Sequence, residues 1–489
     1  MKTALLFLLT LTFMVISCEK KQDSNPPAAE FPPADSSDAA VVVDCSDITG
    51  KVMNIASANG TSTTSPLPGA NAQEWLKDLN QHLVRVWIQL RYVYNKGNVD
   101  YNYIYSGTNV GVEDALTYYS KTCDSLLVAV TAYNSSVTWP LPEGAAFTQF
   151  IKTTLAYYKT KFPKIKYIEV GNEPDAAGET MSTYYPIYQH YYQAIDGVND
   201  SLDLKSNPIL IGNAPLTGNV PKMLNYASGF FKAYAADKDP GKKFDFFSFH
   251  SYGEANRPLE LKDARHEVDS ALQANGLPVI PVLVSEYGIV GGSGLPSNTT
   301  LSETIAMQPA GQLTKAFYLY EGGIDYVLNW CVHHQTIPYK SEIADLDAGT
   351  LYPYGYALYC ANQLSLRGDR LRATSTQINS VGLGVHVLAA MGDGKGIAVL
   401  VWNYNWTADM ADKQIKVLIN NIPSSIFPSA KMHSAVYLID AEHNNYDFDK
   451  SQTSFKASLE GIVGYRPWIK VPLTLERSAV ALILLTPES

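Results

Sequence analysis

Between residues 51 and 368, short apolar runs rich in β-branched residues alternate with longer amphipathic stretches. This alternation constrains the fold more than any other feature of the chain. Strand candidates fall at 52–57, 83–88, 126–133, 167–172, 209–213, 244–252, 279–287 and 326–332. Helix candidates lie between them, among others at 72–82, 145–161, 185–202, 259–275, 311–321 and 354–365. Several carry apolar residues at three- and four-residue spacing, as at Phe150, Thr154, Tyr157 and Tyr158. Such a series belongs to parallel βα units. Eight units in order predict an α/β fold, a (β/α)8 TIM barrel. A doubly wound open sheet is the alternative, but no Gly-rich nucleotide loop follows the first strand candidate.

Beyond about residue 370 the helical period disappears. Strand-like runs at 385–390, 396–403, 414–419, 433–439 and 479–486, with turn residues between them, predict a C-terminal all-β sandwich. At the other end, Lys2 precedes an apolar stretch at 4–16 with the length of a signal-peptide core, too short to span a bilayer comfortably. Val15-Ile16-Ser17-Cys18 resembles a bacterial lipobox, with a small residue before the cysteine to be lipidated. The alternative is a soluble secreted protein with an incidental Cys18. Residues 19–44 are polar and Pro-rich and read as a disordered tether. The expected division is therefore leader 1–18, tether 19–44, barrel 45–368 and sandwich 369–489. The expected location is outside the cytoplasm, lipid-anchored in a bacterial membrane and facing either the periplasm or the cell surface.

A net charge of −10 argues against a nucleic-acid partner, which needs a concentrated basic surface. The 32 tyrosines offer flat faces with polar edges, suited to sugar rings, although many serve the core. Cys45, Cys123, Cys331 and Cys360 lack CxxC spacing, which counts against a zinc knuckle. Export would permit a disulfide that the sequence does not assign. Cys123 and Cys331, in apolar stretches, read as buried small hydrophobes.

Two strand candidates end on a glutamate: Tyr167-Ile-Glu-Val-Gly-Asn-Glu-Pro174 delivers Glu173 and Val282-Leu-Val-Ser-Glu-Tyr-Gly288 delivers Glu286. A parallel barrel gathers such strand ends on one rim, where its chemistry is done. Pro174 ends the strand and fixes the carboxyl at that rim. Two carboxyls across a sugar, one protonated and one ionised, are the machinery of glycoside hydrolysis. The amide of Asn172 is placed to hold a sugar hydroxyl.

The barrel segment resembles clan A of the glycoside hydrolases, and within it most closely family 39, which includes β-xylosidases and α-L-iduronidases. The matching stretches, in order, are Val84-Arg85-Val86-Trp87, Glu169-Val170-Gly171-Asn172-Glu173-Pro174, Asp245-Phe246-Phe247-Ser248-Phe249-His250-Ser251-Tyr252, Ser285-Glu286-Tyr287 and Asn329-Trp330. The resemblance implies Glu173 as general acid/base, Glu286 as nucleophile, a retaining double displacement, a barrel-plus-sandwich architecture, and no metal or other cofactor. The implied partner is carbohydrate.

Arg85, at the end of the second strand, is the guanidinium expected to orient the nucleophilic carboxylate. His250 and Tyr252 alternate along the sixth strand and so point the same way; the family places a His-x-Tyr pair there, near nucleophile and sugar. Trp330 is the candidate platform under the sugar. Tyr133, with Asn134 and Trp139, is a candidate for the entrance. His333 and His334 are adjacent on a strand, point to opposite faces and make a poor pair of metal ligands. Two departures from the family limit the carry-over. Trp87 stands where relatives carry a histidine that contacts sugar hydroxyls, and residues 288–304 form a longer Gly- and Ser-rich loop. A surface glycan-binding lipoprotein on an inactive barrel and a metal-dependent hydrolase are the competing functions; the two glutamates argue against the first, and the absence of a clustered His/Asp set against the second.

Overall fold

The computed structural model describes residues 35–488 apart from 37, 62, 64, 96, 133–140, 290–299, 335–341 and 407–411. Eight parallel strands, Ala58–Asn59, Gln81–Gln89, Cys123–Thr131, Ile165–Val170, Leu210–Gly212, Phe247–Ser251, Val282–Tyr287 and Tyr326–Asn329, pair in chain order, and the last returns to the first. Between the fifth and sixth strands the seam is held by the bridges Gly212–Phe246 and Leu216–Phe249. The Asn213 side chain reinforces it, donating to the Ser248 carbonyl at 3.0 Å and accepting the Ser248 N–H at 2.9 Å. The sheet is a barrel, not the open doubly wound alternative.

The first strand departs from expectation. Pairing occurs at Ala58–Asn59, not over 52–57. Side chains replace the ladder before it: Asn54 Oδ1 accepts the Ala56 N–H at 3.0 Å, and Asn329 Nδ2 donates to the Ile55 and Ser57 carbonyls, each at 2.8 Å. Backbone groups satisfied in that way need no neighbouring strand.

Helices follow the strands on the outside, among them Val112–Tyr119, Gly144–Lys161, Met181–Ser201, Val220–Ala236, Ala264–Ala274, Leu301–Glu321 and Pro353–Ser365. The helix after the seventh strand starts at Leu301, so the loop expected over 288–304 ends there; its residues 290–299 lie outside the described residues. Inside the barrel, Leu83, Leu127, Tyr167, Phe246, Leu283 and Leu328 form an apolar floor separate from the strand–helix core. Gly212 makes room for it, since a Cβ there would lie 2.3 Å from the Phe246 ring.

The C-terminal domain is a mixed nine-stranded sheet whose inner faces share one apolar cluster, as a sandwich requires. Here the expected boundaries need correction. Val41–Lys51 is a strand of this sheet, antiparallel to Asp369–Ser375 and parallel to Lys413–Asn420. Residues 41–44 thus leave the tether, and 45–51 leave the barrel. Val41, Val43 and Cys45 alternate into the sandwich core, which fixes the segment there. The opposite face of the sheet packs on the barrel: Leu388, Leu400 and Trp402 belong to the strand–helix core, and Trp402 Nε1 donates to Thr314 Oγ1 at 2.8 Å. All four cysteines after Cys18 are free and buried. Among the described residues no helix is long and apolar enough to cross a membrane. Residues 1–34, with Cys18, lie outside the described residues.

Candidate active site

Above the apolar floor the barrel interior turns polar. Arg85 is fully buried there and divides its donors among four residues. Nε donates to Glu169 Oε2 at 2.6 Å and Nη2 to Asn172 Oδ1 at 2.8 Å. Nη1 donates to Glu286 Oε1 at 2.6 Å and to Asn59 Oδ1 at 3.1 Å. A planar guanidinium with fixed donor directions holds such a set; a single ammonium does not. Because arginine only donates, the Asn172 oxygen faces it and the amide nitrogen is left for another acceptor.

Glu286 reaches this centre through a β-bulge. Leu283 and Val284 pair with Ser248 and Phe249 in sequence, but the next pair is Glu286 with His250, so Ser285 is the extra residue. Uninterrupted alternation would put Glu286 on the face of Val284, toward the helices. The bulge brings it instead beside His250. Tyr252 donates to Glu286 Oε2 at 2.9 Å, so each nucleophile-candidate oxygen has a donor. Burial, together with the nearby Glu286, pushes the Tyr252 phenol well above its ordinary value, so the hydroxyl keeps its proton.

Glu173 follows the fourth strand in the left-handed region, at φ 48°, just after Gly171 at φ 102°. That conformation is uncommon for a residue with a side chain and is held from outside. Its N–H donates to the Pro215 carbonyl at 3.0 Å, and the Asp175 carboxylate two residues on accepts from Thr217 N–H and Oγ1. His250 Nδ1 lies 2.6 Å from Glu173 Oε1 and 3.4 Å from Glu286 Oε2, between the two carboxylates. One donor atom from each of Glu173, His250 and Glu286 lies within 4.8 Å of the others. Such a trio is also a donor set that suits a divalent cation.

Burial pushes the Glu286 carboxyl above its ordinary range, against the pull of His250 and Arg85. Burial acts on Glu173 in the same sense, but there the hydrogen bond and charge of His250, with Arg85, prevail and set it below its ordinary range.

Of the other expected site residues, Trp87 stacks on Arg85, its ring centre 4.3 Å from the guanidinium carbon. Trp330 closes the eighth strand, its N–H on the Tyr287 carbonyl at 3.1 Å and its ring against His334. His333 Nδ1 lies 3.2 Å from the Ala344 carbonyl. Tyr133, Asn134 and Trp139 lie outside the described residues. Glu169 and Asn59 share the Arg85 guanidinium with Glu286, and the motifs single out neither. Glu169 had a signal, a carboxylate within an apolar run at inward period two from Tyr167; Asn59 had none.

No family model matches the sequence, and no curated protein matches it. Solved structures do. A glucosidase from Croceicoccus marinus has a TM-score of 0.69 at 15% identity, over 92% of this chain and 99% of that one. A GH39 enzyme from Xanthomonas axonopodis pv. citri gives 0.66 at 14%, over 94% and 99%. A monomeric beta-xylosidase from Caulobacter crescentus CB15 gives 0.65 at 15%, over 92% and 99%. At such identities the likeness speaks for the fold, and the expected resemblance is borne out at that level: this chain has the barrel-plus-sandwich fold of clan A glycoside hydrolases, most like that of family 39.

Proposed function

We propose that the protein is a retaining glycoside hydrolase in which Glu286 is the nucleophile and Glu173 the acid/base. The observation that carries this reading is the approach of the two carboxylates, one oxygen of each within 4.8 Å, at the C-terminal rim of the barrel. Retaining enzymes hold their carboxyls about 5–5.5 Å apart, whereas inverting ones leave roughly 6.5–9.5 Å for a water. In the first step Glu286 bonds to the anomeric carbon, the glycosidic C–O bond breaks, and the departing oxygen takes the proton of Glu173. In the second, Glu173 takes a proton from water, the water oxygen bonds to the anomeric carbon, and the ester to Glu286 breaks. The donors from Arg85 and Tyr252 support an anion at Glu286. The leader ahead of Cys18 supports an exported, lipid-anchored enzyme acting on extracellular poly- or oligosaccharides.

The raised Glu286 and lowered Glu173 favour one rival, the same pair with exchanged roles. A single experiment separates the two. Glu173→Ala is expected to lose about 10²–10⁴ in rate on glycosides with poor leaving groups. Azide should restore turnover of activated aryl glycosides, giving a glycosyl azide of retained configuration. An inverted azide from Glu173→Ala assigns the nucleophile to Glu173. Tight glycan binding without turnover by the unaltered protein sinks both versions in favour of a binding protein.

A further inference from the structure

Lys315 lies on the helix Leu301–Glu321, outside the barrel wall, and is fully buried. Its ammonium makes three hydrogen bonds, all to main-chain carbonyls: Ser251 at 2.8 Å, Gly253 at 2.7 Å and Gly288 at 3.0 Å. Ser251 and Gly253 flank Tyr252 in the chain. Gly288 lies two residues past Glu286, and its own N–H donates to the Ser251 carbonyl at 3.3 Å. One cation therefore clamps the end of the sixth strand to the end of the seventh, with Tyr252 inside the clamp. Burial pushes the ammonium down to about 8, with Glu254 opposing, so it carries its charge at neutral pH. A buried charge satisfied by three carbonyls holds those carbonyls in fixed places, since losing any of them leaves it uncompensated.

We propose that Lys315 is a positioning residue: by fixing the carbonyls on either side of Tyr252 against the strand that carries Glu286, it holds the Tyr252 hydroxyl on the Glu286 carboxylate. This rests on the hydrolase reading above. Nothing in the motifs marks Lys315. The barrel places its ammonium behind both strand ends.

The test is a double-mutant cycle in the full-length protein. Lys315→Met, Tyr252→Phe and the double variant are assayed for kcat and KM on an aryl glycoside that the unaltered protein cleaves, and thermal unfolding is recorded for each. Lys315→Met is expected to lower kcat about tenfold or more, with KM within about twofold, because small misplacements of a catalytic group are costly. In the Tyr252→Phe background the same change should cost less than about threefold. A general weakening of the fold would instead lower both backgrounds by the same factor, and that result overturns the proposal, as does an unaltered kcat. Should Lys315→Met fail to fold, Lys315→Gln, which keeps two donors on a shorter stem, is judged by the same criteria. If the unaltered protein cleaves no glycoside in a broad panel, the hydrolase reading fails and this proposal with it.

Discussion

Burial raises the Glu286 carboxyl, and Arg85 and Tyr252 both oppose it, one by ion pairing and the other by a single hydroxyl. Tyr252 lowers the carboxyl's proton affinity while burial raises it, so removing the hydroxyl should raise it further. On the proposed mechanism Glu286 must be ionised to attack, so activity is expected to fall as pH drops through its titration. In Tyr252→Phe the acid limb of kcat/KM is therefore expected to move to higher pH; a limb that stays in place would remove Tyr252 from the nucleophile's surroundings. Arg85 was legible in sequence because a guanidinium inside an apolar run has few reasons to be there, but it stands in the middle of the strand Gln81–Gln89 and not at its end as expected. Glu169 was harder to read, since its role is to share that guanidinium with Glu286 (2.6 Å to each), and sharing appears only when two strands meet. Lys315 was not legible at all, because its partners are carbonyls, which every residue has.

The strands differ in how much of their geometry the sequence carries. His250 and Tyr252 share a face because side chains alternate, which is visible in any strand. Glu286 faces the same space only because Ser285 is accommodated as a bulge, and no residue pattern announced it. The fifth strand, Leu210–Gly212, is short, and its place beside the sixth rests on close approach at Gly212. Gly212→Ala is expected to destabilise the fold by about 1–3 kcal/mol through overpacking against Phe246. Gly461, where an added Cβ meets nothing within 4 Å, is the control, and its change to alanine should stay within about 0.5 kcal/mol. Denaturant unfolding of the two variants checks both. Equal stabilities would mean that the barrel floor gives way at no cost.

Across the whole molecule, the sandwich is fastened to the barrel by a buried group that must stay neutral. His386 is fully enclosed, stacked on Trp402 with ring centres 5.3 Å apart, and its Nε2 is 3.2 Å from the Tyr318 hydroxyl. Burial lowers its pKa from 6.5 to about 4. The folded state therefore refuses a proton that the unfolded chain accepts. Its contribution is whole above pH 6.5 and is lost as pH falls toward 4, in total about 3 kcal/mol. His386→Phe should flatten the decline of unfolding free energy over that window; an unchanged slope would place the acid sensitivity elsewhere. The sequence by itself determined the class of fold, the order of the strands and the two strand-end glutamates, because hydrophobic period and strand punctuation are local properties. Only the tertiary structure decided which residues surround those glutamates, and that Val41–Lys51 joins a sheet whose other strands all come after the barrel. Closing a barrel and completing a sandwich bring together residues hundreds of positions apart, and the energies that choose such neighbours are packing, burial and shared hydrogen bonds, which no local window of sequence contains.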